Sequence, residues 1–194
     1  MCYADAKGRD FMQWRTAKPE DLPQIRAAFA AIIERMNRDG VPIWDDSYPA
    51  MAFPGDIARG SLYILDDGGA VAAAFALFAL EGADDVQWRA PAARAVGLGR
   101  FAVHPDYQGR GVGLSAIREA RRIARARGAQ YLRLFVMPVN RPAIRFYERA
   151  GFTRAAGVHE EVIDAALTLR EYGFEIETAD TENKKRRSCD RYGR

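Results

Sequence analysis

The sequence predicts an α/β fold in a single domain, and three observations carry that expectation. First, Leu98-Gly99-Arg100-Phe101-Ala102-Val103 reads as a strand that stops at Pro105 and passes through a glycine-rich turn into an amphipathic helix. Second, Tyr131-Leu132-Arg133-Leu134-Phe135-Val136 alternates like a buried strand, and a short helix follows, begun by Pro142 and stopped by Gly151. Third, the chain has 194 residues, 48% of them hydrophobic, which suits one domain with a substantial core and is short for two.

In chain order, residues 1–10 are polar and read as an N-terminal tail, and residues 11–15 as the first strand. Residues 19–38 read as a helix: Pro19, Glu20 and Asp21 suit its positive end. Leu22, Ile25, Phe29, Ile32, Ile33 and Met36 share one face, and Gly40 stops it. Residues 41–60 are loop-rich, with a short helix expected at 56–59. Residues 61–66 and 70–80 read as a hairpin around Asp67-Gly68-Gly69. A variable connection (81–96) leads to the central strand at 98–103, and a helix at 114–127 ends at Gly128. The alternation is unclear after Phe152 until residues 172–177, which read as the last strand. The expected division is thus a tail (1–10), one domain (11–178) and a basic tail (179–194).

Composition excludes several classes. The longest apolar run, residues 70–80, is far below membrane-spanning length, and no charged leader precedes an apolar stretch, so a cytoplasmic protein without a membrane partner is expected. Cys2 and Cys189 stand near opposite ends with no framework around them and read as free thiols. Net charge is +3, and Lys184-Lys185-Arg186-Arg187 supplies much of the excess. No aromatic residues alternate with that run, so it reads as a solvated tail rather than a nucleic-acid contact. No metal is expected.

The stretch from Val103 to Gly113 carries the chemistry. A strand, a glycine-rich turn and a helix start without a gap aim backbone N–H groups and the positive end of a helix dipole at one point, a site for an anion such as phosphate. A Walker loop would need a lysine here, and a dinucleotide fingerprint would need a different glycine spacing. The order is instead Gln108-x-x-Gly111-x-Gly113. Asn140, Ala143, Tyr147, Gly151 and Phe152 form a second pattern, Asn-x-x-Ala-x-x-x-Tyr-x-x-x-Gly-Phe, in the expected order behind the first. Together they resemble the hallmarks of the GNAT superfamily of N-acetyltransferases. Trp14-Arg15-Thr16-Ala17 and Glu20-Asp21-Leu22-Pro23-Gln24-Ile25 look like its first strand and helix, so the resemblance covers residues 11–177. The tract Ile43-Trp44-Asp45-Asp46-Ser47-Tyr48-Pro49 is similar to one in small uncharacterised bacterial members.

The resemblance implies a mixed, mostly antiparallel twisted sheet, splayed between its two central strands and flanked by helices. It implies an enzyme that moves an acetyl group from acetyl-CoA to a primary amine by direct transfer through a tetrahedral intermediate. Gln108, Gly109, Arg110, Gly111, Val112 and Gly113 would hold the pyrophosphate; Phe101, Ala102 and Val103 would pair with the pantetheine arm; Asn140 would contact that arm; Tyr147 would protonate the departing thiolate. Each has a plainer reading: core strand for the three β residues, helix cap for Asn140 and packing for Tyr147. Some members place a glutamate base where Phe135 stands, so the base must lie elsewhere; Glu81 is favoured over Asp85, His104 or a water chain. Trp44, Asp45 and Tyr48 are expected to wall the acceptor site, with core plugging the alternative for the aromatics. The acceptor is expected to be a small-molecule amine. Members are often homodimers, but no stretch specifies an interface. The competing reading is an acyl-CoA-sensing module without turnover.

Overall fold

The computed structural model describes residues 12–81, 83–163 and 167–179. Phe11, both cysteines, the N-terminal tail and the basic run at 184–187 lie outside them. The elements are β1 (Gln13–Thr16), α1 (Leu22–Arg38), α2 (Phe53–Ala58), β2 (Leu62–Asp67), β3 (Ala70–Ala79), β4 (Val86–Gln87), β5 (Ala95–Val103), α3 (Val112–Ala126), β6 (Tyr131–Val136), α4 (Arg141–Arg149), β7 (Thr153–Arg154), β8 (Ala156–Gly157), β9 (His159–Val162) and β10 (Thr168–Glu177). Among the described residues the main sheet has the order β1-β2-β3-β5-β6-β10-β7, with β9 added on β10, and β4 pairs β8 separately. Its pairings are antiparallel except β5 with β6, which is parallel.

Several boundaries move for identifiable reasons. The first helix opens as a single 3-10 turn, Pro19–Asp21, before α1. There Asp21 is clamped by the Arg15 guanidinium at 2.6 and 2.7 Å and also accepts the Lys18 N–H, which together hold its carboxyl below the usual range against the opposing effect of burial. The second helix spans Phe53–Ala58 rather than 56–59, because Pro54 occupies a first-turn position where its missing N–H costs nothing. The connection at 81–96 and the stretch after Phe152 contain β4, β7, β8 and β9, two to four residues each and mostly exposed, too short for a period to show. β10 begins at Thr168, four residues earlier than expected, because its charged start pairs with β9.

The sheet separates two apolar layers. On one face α3 and α4 pack through Ala116, Ile117, Ala120, Ala124 and Tyr147 onto Phe75, Leu77, Leu98, Leu132, Leu134 and Phe174. On the other, Ile25, Phe29, Ile32 and Phe53 of α1 and α2 cover Leu62, Ile64, Ala74, Ala76 and Ala102.

Two irregularities of β5 position everything that follows. Pairing with β3 runs Ala74 with Ala102, then Ala76 with Gly99, so Phe75 alone faces Arg100 and Phe101 in a β-bulge. Arg100 adopts φ 50°, a left-handed conformation strained for a long side chain. The extra residue resets the alternation, so Leu98 and Phe101, three apart, both meet the α3/α4 layer. Pairing with β6 stops early: Ala95 with Tyr131, Val96 with Leu132, Gly97 with Arg133, and nothing beyond. The second halves of the two central strands therefore part.

Gly97 and Gly99 make room for the Phe78 ring on the α1/α2 face. A Cβ at Gly97 would overlap the Cε2 edge of that ring, and one at Gly99 would lie 2.8 Å from its Cε1. Gly97→Ala is expected to cost about 1–3 kcal/mol by overpacking, read as a lower urea midpoint at an unchanged slope. A midpoint equal to that of the parent chain would count against this packing.

Candidate functional site

The turn after β5 is built to present bare backbone. His104 Nδ1 accepts the Asp106 N–H at 3.3 Å, and a 3-10 turn covers Pro105–Tyr107. The Tyr107 hydroxyl donates to Asp67 at 2.6 Å, pinning the turn to the β2–β3 hairpin; that bond, with burial, pushes the phenol up to about 12. Gln108 donates from Nε2 to the Val103 carbonyl at 3.2 Å and so closes the turn from within. Gly109 and Gly111 take φ 73° and 77°, and a Cβ at either would meet nothing within 4 Å, so the space beside the loop is open. Gly111 is the N-cap of α3 and no side chain caps it, which leaves first-turn N–H groups for a ligand. Arg110 lies 5.7 Å over the Tyr107 ring and adds positive charge beside the loop. At Gly113 a Cβ would press on the Phe146 ring at 3.0 Å, so helix and helix meet closely there.

The loop opens onto the parted strands. Phe101 stacks on Phe146 at 5.5 Å and meets Tyr147 at 5.9 Å. Tyr147 is buried among Phe101, Phe146, Phe152 and Phe174. Burial pushes its phenol well above the ordinary value of 10, so it stays protonated across the working range. Ala102 and Val103 pair with Ala74 and Ala73 of β3, and among the described residues no strand pairs with the other edge of Phe101–Val103. Asn140 is the N-cap of α4: its Oδ1 accepts the Ala143 N–H at 3.2 Å, which is the plainer of its two readings.

The acceptor-side expectations fare differently. Trp44 is half-buried, and its ring packs 5.7 Å from Phe29 in the α1 layer. Asp45 spends its carboxylate on its own turn, accepting the Ser47 and Tyr48 N–H groups at 2.8 Å each, and those bonds hold it below the usual carboxylate range. Tyr48 is exposed. Glu81 is exposed two residues past β3, whose last pair, Ala79 with Val96, lies where β5 and β6 are still joined. The structure thus brings the loop, Phe101–Val103 and Tyr147 together and leaves Glu81 at the closed end of the strands.

Two groupings escaped the sequence. Arg100, a lone charge inside an apolar strand, reaches Asp56 of α2: Nη2 donates to Oδ1 at 3.3 Å, and Nε lies 2.5 Å from Oδ2 without hydrogen-bond alignment. The Asp56 side chain is 1% exposed and Arg59 completes its neutralisation at 2.9 Å. The charge at position 100 was the available signal; its partner, 44 residues away, was not. The second grouping lies on the far side of β6, where His159 stacks on Phe135 at 4.2 Å and bonds Asp85.

A backbone anion loop feeding a gap between two central parallel strands defines an acyl-coenzyme-type α/β domain rather than a Walker or dinucleotide fold. Residues 29–152 match the model of the acetyltransferase (GNAT) family, and the chain belongs to that family. A streptothricin acetyltransferase of Streptomyces lavendulae is 48% identical over 50 residues, 26% of either chain. The matched stretch spans about a quarter of the length of such curated relatives, 22% and 26% in two of them. A GNAT acetyltransferase from Streptococcus agalactiae superposes with a TM-score of 0.71 at 18% identity, over 89% of this chain and 98% of its own. A Salmonella typhimurium protein described as an acetyltransferase and solved with its cofactor acetyl-CoA gives 0.59 at 18%, over 87% and 95%. These last two likenesses speak for the fold. Among the described residues no helix is long and apolar enough to cross a membrane, and no cluster of His, Cys, Asp and Glu is arranged for a metal.

Proposed function

We propose that the chain is an acetyl-CoA-dependent N-acetyltransferase acting on a small-molecule primary amine. The observation that carries this reading is the loss of β5–β6 pairing after Gly97, directly below the uncapped start of α3. A diphosphate fits the N–H groups after Gly109 and Gly111, and an extended amide chain fits the unpaired edge of Phe101–Val103. A backbone N–H of that edge would polarise the thioester carbonyl as charge gathers on its oxygen. Tyr147, neutral and beside Phe101, is the proton donor for the departing thiolate. Asn140 holds α4, and so Tyr147, in place through its cap and keeps its amide nitrogen for the coenzyme arm. The relative from Streptomyces lavendulae acts, by its name, on streptothricin, and an acceptor of that kind is carried over here as part of the proposal.

The melting temperature with and without acetyl-CoA tests the reading. At about 100 times its dissociation constant, a ligand of the folded state adds about 2.7 kcal/mol, a rise of roughly 5–11 °C for a domain of this size. Adenosine alone is expected to give no such shift. Amine-dependent release of the coenzyme thiol then separates an enzyme from an acyl-CoA sensor. No shift at saturating acetyl-CoA would sink both.

A further inference from the structure

The transfer needs a neutral amine, and the groups assigned so far do not take its proton. We propose that His159, oriented by Asp85, accepts that proton from a small cationic amine bound on the sheet face opposite Tyr147. The inference rests on the acetyltransferase reading and supplies its acceptor side.

Strand register puts these residues on one face. Gly173 lies opposite Phe135, and Glu171 opposite His159. Alternation along β10 sets Glu171, Gly173 and Glu175 on this face, while Phe174 packs with Tyr147 on the other. Phe135 is two residues past the last β5–β6 pair, Gly97 with Arg133, so it borders the gap. His159 lies flat on it, ring centroids 4.2 Å apart and planes 22° from parallel. Acid and base thus approach the gap from its two sides.

The imidazole is set for proton uptake. Its Nδ1 lies 2.9 and 3.1 Å from the two oxygens of Asp85. An ionised carboxylate only accepts, so Nδ1 carries the hydrogen and Nε2 keeps the lone pair. Asp85 stays ionised: burial opposes this, but bonds from His159 and from the Glu160 N–H outweigh it and hold the carboxyl below its usual range. Close packing fixes the pair. Gly157 takes φ 92° against the Asp85 segment, where a Cβ would lie 2.5 Å from the Asp85 carbonyl oxygen.

The surroundings select a cation. Asp85 faces the ring from the segment before β4, Glu171 from β10, and Glu161 lies two residues along β9; β6 contributes the apolar Phe135. Glu171 is pushed up to about 7 by burial, with Glu161 raising it further and His159 opposing. The nearby Arg133 guanidinium is consumed by Glu175 at 3.1 Å under the Trp88 ring. Trp88 packs on Phe135 at 5.8 Å and extends the apolar wall. An apolar wall beside the ionised Asp85, joined by Glu171 once it ionises near neutral pH, suits an ammonium on a short organic body.

The step balances. The ammonium gives one proton to His159 Nε2, which passes it to water. The neutral nitrogen attacks the thioester carbon; the C–N bond forms and the C–S bond breaks. Tyr147 protonates the sulfur and is restored by the second proton lost from nitrogen. The products are amide, thiol and one released proton.

The test uses the full chain, acetyl-CoA and a panel of primary amines, 1,4-diaminobutane and lysine included. Thiol release is followed from pH 5 to 9 in the parent and in His159→Gln, Asp85→Asn and Glu171→Gln. His159→Gln is expected to lower kcat by about 100-fold or more and to erase the acid limb of kcat/KM, with the acetyl-CoA melting shift intact. Asp85→Asn should lower kcat, because the imidazole loses the acceptor that holds its Nδ1–H tautomer. Glu171→Gln should raise KM for the amine above pH 7, where that carboxyl is ionised in the parent, and keep the acid limb of kcat. A limb that survives His159→Gln, or that vanishes with Glu171→Gln or Glu81→Gln instead, overturns the proposal. So does a parent chain that binds acetyl-CoA but turns over no amine while its His159 imidazole NMR signals ignore them all. A parent chain that fails to bind acetyl-CoA overturns the acetyltransferase reading itself, and this inference with it.

Discussion

Tyr147→Phe is expected to lower kcat by about 100-fold or more while leaving the fold and the affinity for acetyl-CoA nearly unchanged. The separation follows from how the residue is held. The ring supplies the packing, among four phenylalanines, and phenylalanine reproduces it. Among the described residues the hydroxyl has no hydrogen bond that its removal would break, so the melting temperature should move little. The pH dependence adds a second signature. Burial raises the phenol above its ordinary 10, so ionisation of Tyr147 cannot produce an alkaline decline below that pH. In the unfolded chain the phenol ionises first, so this residue withdraws stability as pH rises beyond about 10, and the Phe variant loses that component. Steady-state kinetics beside a melting curve decides the matter. Equal losses in kcat and stability would reduce Tyr147 to packing, and unchanged turnover across pH would remove it from the chemistry.

Asp56→Ala should be among the most damaging single substitutions outside the site. Removing one partner of a buried ion pair strands the other charge, at a cost of about 3–5 kcal/mol. Arg100 is the stranded partner: its side chain is 13% exposed, so it cannot simply turn to water without unmaking the bulge. A domain of this size should lose roughly 6–20 °C in Tm. Removing both charges, in Asp56→Ala/Arg100→Ala, is expected to cost clearly less than the sum of the two single changes. Chemical denaturation of the four chains measures the coupling. An Asp56→Ala loss within 1 kcal/mol of zero would mean that Arg59 and solvent already serve Asp56, and that the bulge holds itself.

The elements legible in the sequence were those whose signals are local. β6 lies where the alternation put it, and α3 starts two residues before its expected position because the glycines that free the loop backbone also begin the helix. Proline and glycine at 142 and 151 bracketed α4 within a residue. What stayed hidden depends on distant pairing. β9 reads His-Glu-Glu-Val, a charged run that becomes a strand because β10 lies beside it, and the His159–Asp85 contact joins residues 74 apart. Trp44 and Asp45 have contacts that their own tract did not show. The Trp44 ring covers Phe29, and the Asp45 carboxylate closes its own turn. Sequence shows which groups are present, and packing decides which remain free.

The parted strands also bear on how such a protein could diversify. A guest seated there meets main-chain atoms, and those are identical whatever side chains the strands carry. Substitutions along Phe101–Val103 and Leu134–Val136 would reshape the two faces without erasing the main-chain groups proposed to hold the donor. On the proposed reading donor recognition is insulated from mutation, while the apolar wall around Phe135 and Trp88 can change beside a retained His159. A lineage built on this frame can exchange one acceptor for another and keep the same currency of acyl supply.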